Sequence, residues 1–179
     1  MTVAMAAGLV EKAARLSAQH WIGAANVGKR AAVLRKVATV LIEADAAAYT
    51  EYIKAVRKAR GLHTAQREAI IAPARTRIVD IPLSIVRSAS EVAELAGQMA
   101  EHGNPNLKSD AYVALQLAAA AARSASSTLA DNVPTARDPR LVEARRLATT
   151  SVRASRRAAQ RRAGASGRGP ARSRGSGRR

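Results

Sequence analysis

The chain has 179 residues, no cysteine, no phenylalanine and 2% aromatics, which excludes disulfides, thiolate metal sites and cysteine nucleophiles and suits one domain plus a tail. Apolar residues make up 47%; much of this is alanine, the strongest helix former, so the composition points to packed helices rather than sheets. The net charge of +17 is unevenly placed: residues 1–138 hold 17 Lys and Arg against 12 Asp and Glu, and residues 139–179 hold 13 against 1, so the basicity belongs to the end of the chain and does not mark the domain as a nucleic-acid binder.

Residues 2–21 read as a first helix, because Val3, Ala6, Ala7, Val10, Ala14 and Ser17 recur at helical spacing. Glu11 and Lys12 interrupt its apolar opening and no charged segment precedes it, which argues against a signal peptide. No apolar run approaches the roughly 20 residues of a membrane span. Together with the absent cysteine, this leads to the expectation of a cytoplasmic protein. A break is expected around Gly23, Asn26 and Gly28. A second helix follows over residues 29–58, with Leu34, Val37, Leu41, Ala44 and Ala48 on one face and Gly61 as its closing cap.

Thr64 is placed to cap a third helix reaching residue 102. Ile81, Ile85, Ala89, Val92, Leu95, Ala96 and Met99 form its apolar stripe. Pro73 and Pro82 fall inside it; each removes a backbone donor, and one break or bend is expected here rather than a straight rod. Asn104-Pro105-Asn106 makes a tight connection to a fourth helix over residues 107–130. The block Ala118 to Ala122 makes that helix apolar nearly all round, which predicts the core of the bundle. Asp138-Pro139 is a strong start for a fifth helix, running to about residue 162. From Gly164 the chain is Gly, Ser, Arg, Ala and Pro alone, too little apolar surface to offset ordering entropy. The expected architecture is therefore all-α: an antiparallel bundle of about five helices over residues 1–162 and a disordered basic tail over 163–179.

The most informative stretch is Gly103-Asn104-Pro105-Asn106-Leu107-Lys108-Ser109-Asp110-Ala111. It resembles the GNPN-xx-SDA signature of the formiminotransferase-cyclodeaminase and methenyltetrahydrofolate cyclohydrolase family. Val79-Asp80-Ile81-Pro82-Leu83, Leu41 to Tyr49 with Asp45 inside it, and the basic turn Gly28-Lys29-Arg30 resemble further family segments in the same order, over about residues 4–160. The resemblance implies a helical fold that forms a homodimer and acts on a tetrahydrofolate derivative without metal or redox cofactor. One reaction of the family cyclises formiminotetrahydrofolate and expels ammonia; the other hydrolyses methenyltetrahydrofolate. Both pass through a carbon held between two nitrogens that share positive charge, which a carboxylate stabilises and to which it relays protons.

Asp110 is the candidate for that carboxylate and Asp45 a second acid. Asn104, Asn106 and Ser109 are candidates for substrate binding, and Lys29 and Arg30 for the glutamate carboxylates of the folate. Each has a plainer reading. Asp110 complements a helix dipole, Asn106 caps a helix, Asn104-Pro105 is a turn, and Asp45, Lys29 and Arg30 are solvated charge. His20, His63 and His102 show no metal-ligand spacing.

The resemblance also implies a Pro-Gly-rich loop before the first helix. Ala4 to Val10 match the helix that follows that loop, so loss of the loop is expected to impair activity. Thr128 stands where an asparagine is expected, and the arginine-rich end departs from the mixed-charge helix of the family. Two alternatives follow: a catalytically inactive helical homologue with a structural or binding role, and weak nucleic-acid binding through the tail, where residues 151–179 hold ten arginines but no aromatic residue to stack bases.

Overall fold

The computed structural model describes residues 1–166. It contains five α-helices in chain order: α1 (Thr2–Arg15), α2 (Ala24–Lys58), α3 (Thr64–His102), α4 (Lys108–Asn132) and α5 (Pro139–Ser166), with a short 3₁₀ turn, Pro105–Leu107, ahead of α4. Among the described residues there is no strand, and no helix is long and apolar enough to cross a membrane. Helices α3 and α4 pack along each other at the centre, α1 and α2 cover one side, and α5 lies against α3 and α4 on the other.

Alanine sets the packing. The larger core cluster joins Ala6, Ala7 and Val10 of α1 to Ala31 and Leu34 of α2, Ala96 and Met99 of α3, and Ala114, Leu115 and Ala118 of α4. A second cluster at the opposite end joins Val79, Leu83 and Val86 to Leu129 and Leu141. Such small side chains let helix backbones approach closely, so many short contacts replace a few large ones.

The first helix stops at Arg15, six residues earlier than expected, and turns fill the chain up to Gly23. Gly28 does not break the chain; it lies inside α2, where an added Cβ would come within 3.2 Å of the Ala14 Cβ. The glycine serves the close approach of α1 and α2. On α2, Ala24, Val27, Ala31, Leu34 and Ala38 are buried, whereas Val37 is 41% exposed. The smaller Ala38 takes the inward position that periodicity alone gave to Val37. Beyond Ala38 only Ala48 of α2 is buried, because the short α1 covers no more of its length. The distal parts of α2 and α3 form a half-bare hairpin, closed by Gly61 in the left-handed region at φ 81°.

Helix α3 is continuous over 39 residues with both prolines inside it. Pro73 lies on the exposed hairpin, where water reaches the carbonyl it leaves unpaired. Pro82 is buried and leaves the Ile78 carbonyl without its i+4 donor; the Asn132 side chain donates to that oxygen at 2.8 Å. The last residue of α4 thus repairs the defect that proline makes in α3. Thr64 opens α3 as its first residue and His63 holds the cap position, one residue from the expected boundary.

Helix α4 buries Ala111, Ala114, Leu115, Ala118, Ala119, Ala122, Ala125 and Leu129, as its pattern predicts, but Val113, Gln116, Ala120 and Arg123 leave one stripe open to solvent. Asp138 caps α5 as expected, its Oδ1 accepting from the Arg140 N–H at 2.9 Å. Helix α5 continues to Ser166, past the expected end at 162 and into the first residues assigned to the tail. Alanine-rich sequence propagates a helix once nucleated, and a single Gly164 costs only about 1 kcal/mol. The remainder of the expected tail, 167–179, lies outside the described residues.

Candidate functional site

The signature residues form a turn between the end of α3 and the start of α4. Gly103 leads it with an extended backbone. A Cβ there would lie 2.5 Å from the Met99 carbonyl oxygen, 2.7 Å from Met99 Cε and 3.1 Å from Ser17 Oγ, so the position requires glycine for space. The next residue is held from both sides. The Asn104 backbone N–H donates to Ser17 Oγ at 2.8 Å, and Ser17 is completely buried. The Asn104 side chain accepts from the Asn106 N–H at 3.0 Å and donates to the Leu16 carbonyl at 3.3 Å. Pro105 then opens the 3₁₀ turn, where its missing N–H costs nothing.

This turn delivers Asp110 to the first turn of α4, where a carboxylate complements the helix dipole. Lys12 sits in the last turn of α1, a position that favours a cation for the same reason. The two meet at 2.9 Å, with Asp110 29% and Lys12 50% exposed. The ion pair therefore joins the negative end of one helix to the positive end of its neighbour at an open edge of the bundle. Trp21 and His102 close the same edge, with ring centroids 5.1 Å apart.

On the other side of the first turns of α4, a cleft of about 420 Å³ opens between α3, α4 and α5. Leu115, Ala154 and Ala158 form its apolar floor, Lys108, Arg157 and Arg161 bring cations, and Glu101 is the only acid among the described residues that line it. Tyr112 also lines it, with the Arg162 guanidinium 5.5 Å from its ring centre. Lys108 and Tyr112 are four residues apart and share this face, whereas Asp110 points to α1 and does not line the cleft.

The structure brings Asn104, Asn106, Ser109 and Asp110 together and leaves the other candidates elsewhere. Asn104 spends its side chain on the turn itself. Asn106 is exposed, and its amide makes no hydrogen bond among the described residues. Ser109 Oγ lies 3.5 Å from Arg162 Nη2. Asp45 lines a separate hollow of about 170 Å³ with Val3, Leu41 and Ile85. Val3 and Lys12 are about 13 Å apart along α1, so the two carboxylates do not share a site within one chain. Arg30 makes a two-point ion pair with Glu91 of α3, whose hydrogen bond raises the guanidinium pKa further. Lys29 is exposed, with no ion pair among the described residues.

Sequence reasoning missed Lys12 and Ser17 as partners of the signature, and Lys108, Arg157 and Arg161 as a cluster. Ser17 and Asn104 are 87 positions apart, and no local pattern announces such a contact. Thr128, in the place of the expected asparagine, donates to the Ser124 carbonyl of its own helix at 3.3 Å.

No curated protein matches the chain. The sequence model of the formiminotransferase-cyclodeaminase family matches residues 1–150. That span covers the signature turn, its α1 anchor and the first part of α5, and by it the chain belongs to the formiminotransferase-cyclodeaminase family.

Proposed function

We propose that the protein acts on a one-carbon derivative of tetrahydrofolate, as a cyclodeaminase or a cyclohydrolase, with Asp110 as the carboxylate that meets the reacting carbon. The observation that carries this reading is the placement of Asp110: the hydrogen-bonded signature turn presents it at the mouth of α4, part-exposed, with a half-exposed lysine as its only ionic partner among the described residues. Such a lysine is displaced at little cost, since exposed ion pairs contribute about 0–1 kcal/mol. A cationic amidine-like carbon then takes its place.

In the hydrolytic direction, water adds to the carbon between the two nitrogens, one C–N bond breaks, and the carboxylate takes the proton that water loses. In the deaminating direction, the folate's anilino nitrogen attacks the formimino carbon carried on the ring nitrogen and ammonia leaves, with the carboxylate passing the proton lost by the attacking nitrogen to the departing amine. In the deaminating direction fixed negative charge stabilises the amidinium that develops; in the hydrolytic direction the substrate is already cationic, and the carboxylate acts as the base for water. Lys108, Arg157 and Arg161, in the cleft across α4 from Asp110, are the cations suited to pair with the substrate's own carboxylates. The exposed Asn106 amide is placed to hydrogen-bond the heterocycle. The half-bare α2–α3 hairpin supports a homodimer, checked by a sedimentation mass near twice 18.8 kDa.

The test is the loss of methenyltetrahydrofolate absorbance and the release of ammonia from formiminotetrahydrofolate. Wild-type protein accelerates one of them, and Asp110→Asn lowers kcat by about 100-fold or more. Failure of the wild type in both assays overturns the reading.

A further inference from the structure

On the face of α5 turned away from the cleft, a second feature has no part in the folate reading. Two adjoining hollows of about 550 and 220 Å³ run between α4 and α5, sharing Arg123, Val152 and Arg156. Arg145 and Arg153 line the larger one, and among the described residues no acid lines either. All four arginines are exposed, and none makes an ion pair among the described residues. The single acid of α5, Glu143, lies on the opposite face, bound by Arg87 of α3 at 2.7 Å. The groove is thus a row of uncompensated guanidinium groups between two rigid helices. Arg153 and Arg156 lie beyond the family match at residue 150.

We infer that the α4–α5 groove is a binding site for the phosphate backbone of duplex nucleic acid. Like charges held side by side are unfavourable, and a polyanion relieves them by releasing its own counterions. From Arg145 to Arg156 the groove extends about 16 Å along α5, the axial rise of about five nucleotides at 3.4 Å each. Guanidinium groups pair with phosphate oxygens through two donors at once. The lining Gln116, Thr149 and Ser155 add neutral donors of the kind that fix a backbone without reading bases. A duplex is favoured over a single strand because no aromatic side chain lines the groove to stack an exposed base. It is favoured over a membrane because the surface is concave and Val152 is its largest apolar side chain, whereas helices that lie on bilayers bury Trp, Phe or Leu.

The experiment measures binding of the full chain to a labelled 20-base-pair DNA of arbitrary sequence by fluorescence anisotropy, from 50 to 200 mM salt. Replacing Arg123, Arg145, Arg153 and Arg156 by Gln removes four phosphate contacts. The slope of log K against log salt becomes shallower by about 3–4, and affinity at 100 mM salt falls by about 10- to 1,000-fold. A control of equal charge replaces Arg57, Lys58, Arg60 and Arg67 at the far hairpin by Gln and shifts the slope by less than about one. Circular dichroism of both variants confirms the helical fold. Equal losses in the two variants, or no duplex binding by the wild type at 50 mM salt, overturn the inference. So does binding to phosphatidylserine vesicles that the groove variant abolishes while duplex binding stays unchanged.

Discussion

The signature turn and the α4–α5 groove lie on the same bundle and use polar groups in opposite ways. At the turn, few groups are present and nearly all are spoken for: Ser17 with Asn104, Asn104 with Asn106 and Leu16, Lys12 with Asp110. In the groove, four arginines stand together with no acid among the described residues that line it. The first arrangement encodes a position, because each bond removes a freedom of the backbone that carries Asp110. The second encodes a field, because summed charge attracts a polyanion without fixing its register. A change at the turn therefore acts through one contact, and a change in the groove acts through the number of charges removed.

Substitutions at the two regions test this difference. The largest effect is expected at the turn's product: Asp110→Asn costs about 100-fold or more in kcat under the proposed chemistry, while groove variants leave kcat unchanged. Next comes Gly103→Ala, which drives a methyl group against the Met99 carbonyl and side chain. Overpacking of this kind costs about 1–3 kcal/mol, read as a Tm lowered by about 2–4 °C per kcal/mol for a chain of this size. Ser17→Ala leaves the Asn104 N–H without its buried acceptor and costs about 1–3 kcal/mol. A Tm unchanged by either substitution would show that the turn does not need its anchor.

Smaller effects test whether single contacts elsewhere follow the same rule. Asn132→Ala strands the Ile78 carbonyl and costs about 1 kcal/mol in a denaturant titration. In a Pro82→Ala background the helix supplies its own donor, so the same substitution costs measurably less; equal costs in both backgrounds would disprove the coupling. Asp138→Ala removes the α5 cap and costs about 0.5–2 kcal/mol at neutral pH. Hydrogen bonds from Arg140 depress the Asp138 pKa below 3.8. This contribution is present above the unfolded pKa and disappears as pH falls through the depressed folded value. The gap between wild type and variant therefore closes below about pH 4.

Much of the fold was legible in the chain. Helical spacing placed α1, α3 and α4 close to their observed starts, and Asp138-Pro139 marked the start of α5, because capping and periodicity are local properties. The prolines do not interrupt α3, since the effect of a proline depends on what a neighbouring helix offers. Ile78 finds Asn132 on α4, 54 positions away. Gly28 misled for a related reason: beside Ala14 it serves helix contact rather than a turn. At the candidate site, the signature marked Asn104, Asn106, Ser109 and Asp110 as neighbours because they are contiguous. It carried no information on Lys12, Ser17 or Arg157, which reach the site from other helices.

What the sequence determined by itself was the helical class, the positions of caps and turns, and the family signature, since these rest on interactions within a few residues along the chain. Tertiary structure alone decided which polar groups meet. It set Asn104 to hold the turn and gave Arg30 to Glu91. It parted Asp45 from Asp110 by most of the length of α1, and it left the arginines of α4 and α5 facing one groove. The reason is physical: hydrogen bonds and ion pairs act over a few ångströms, and only packing brings residues tens of positions apart within that range.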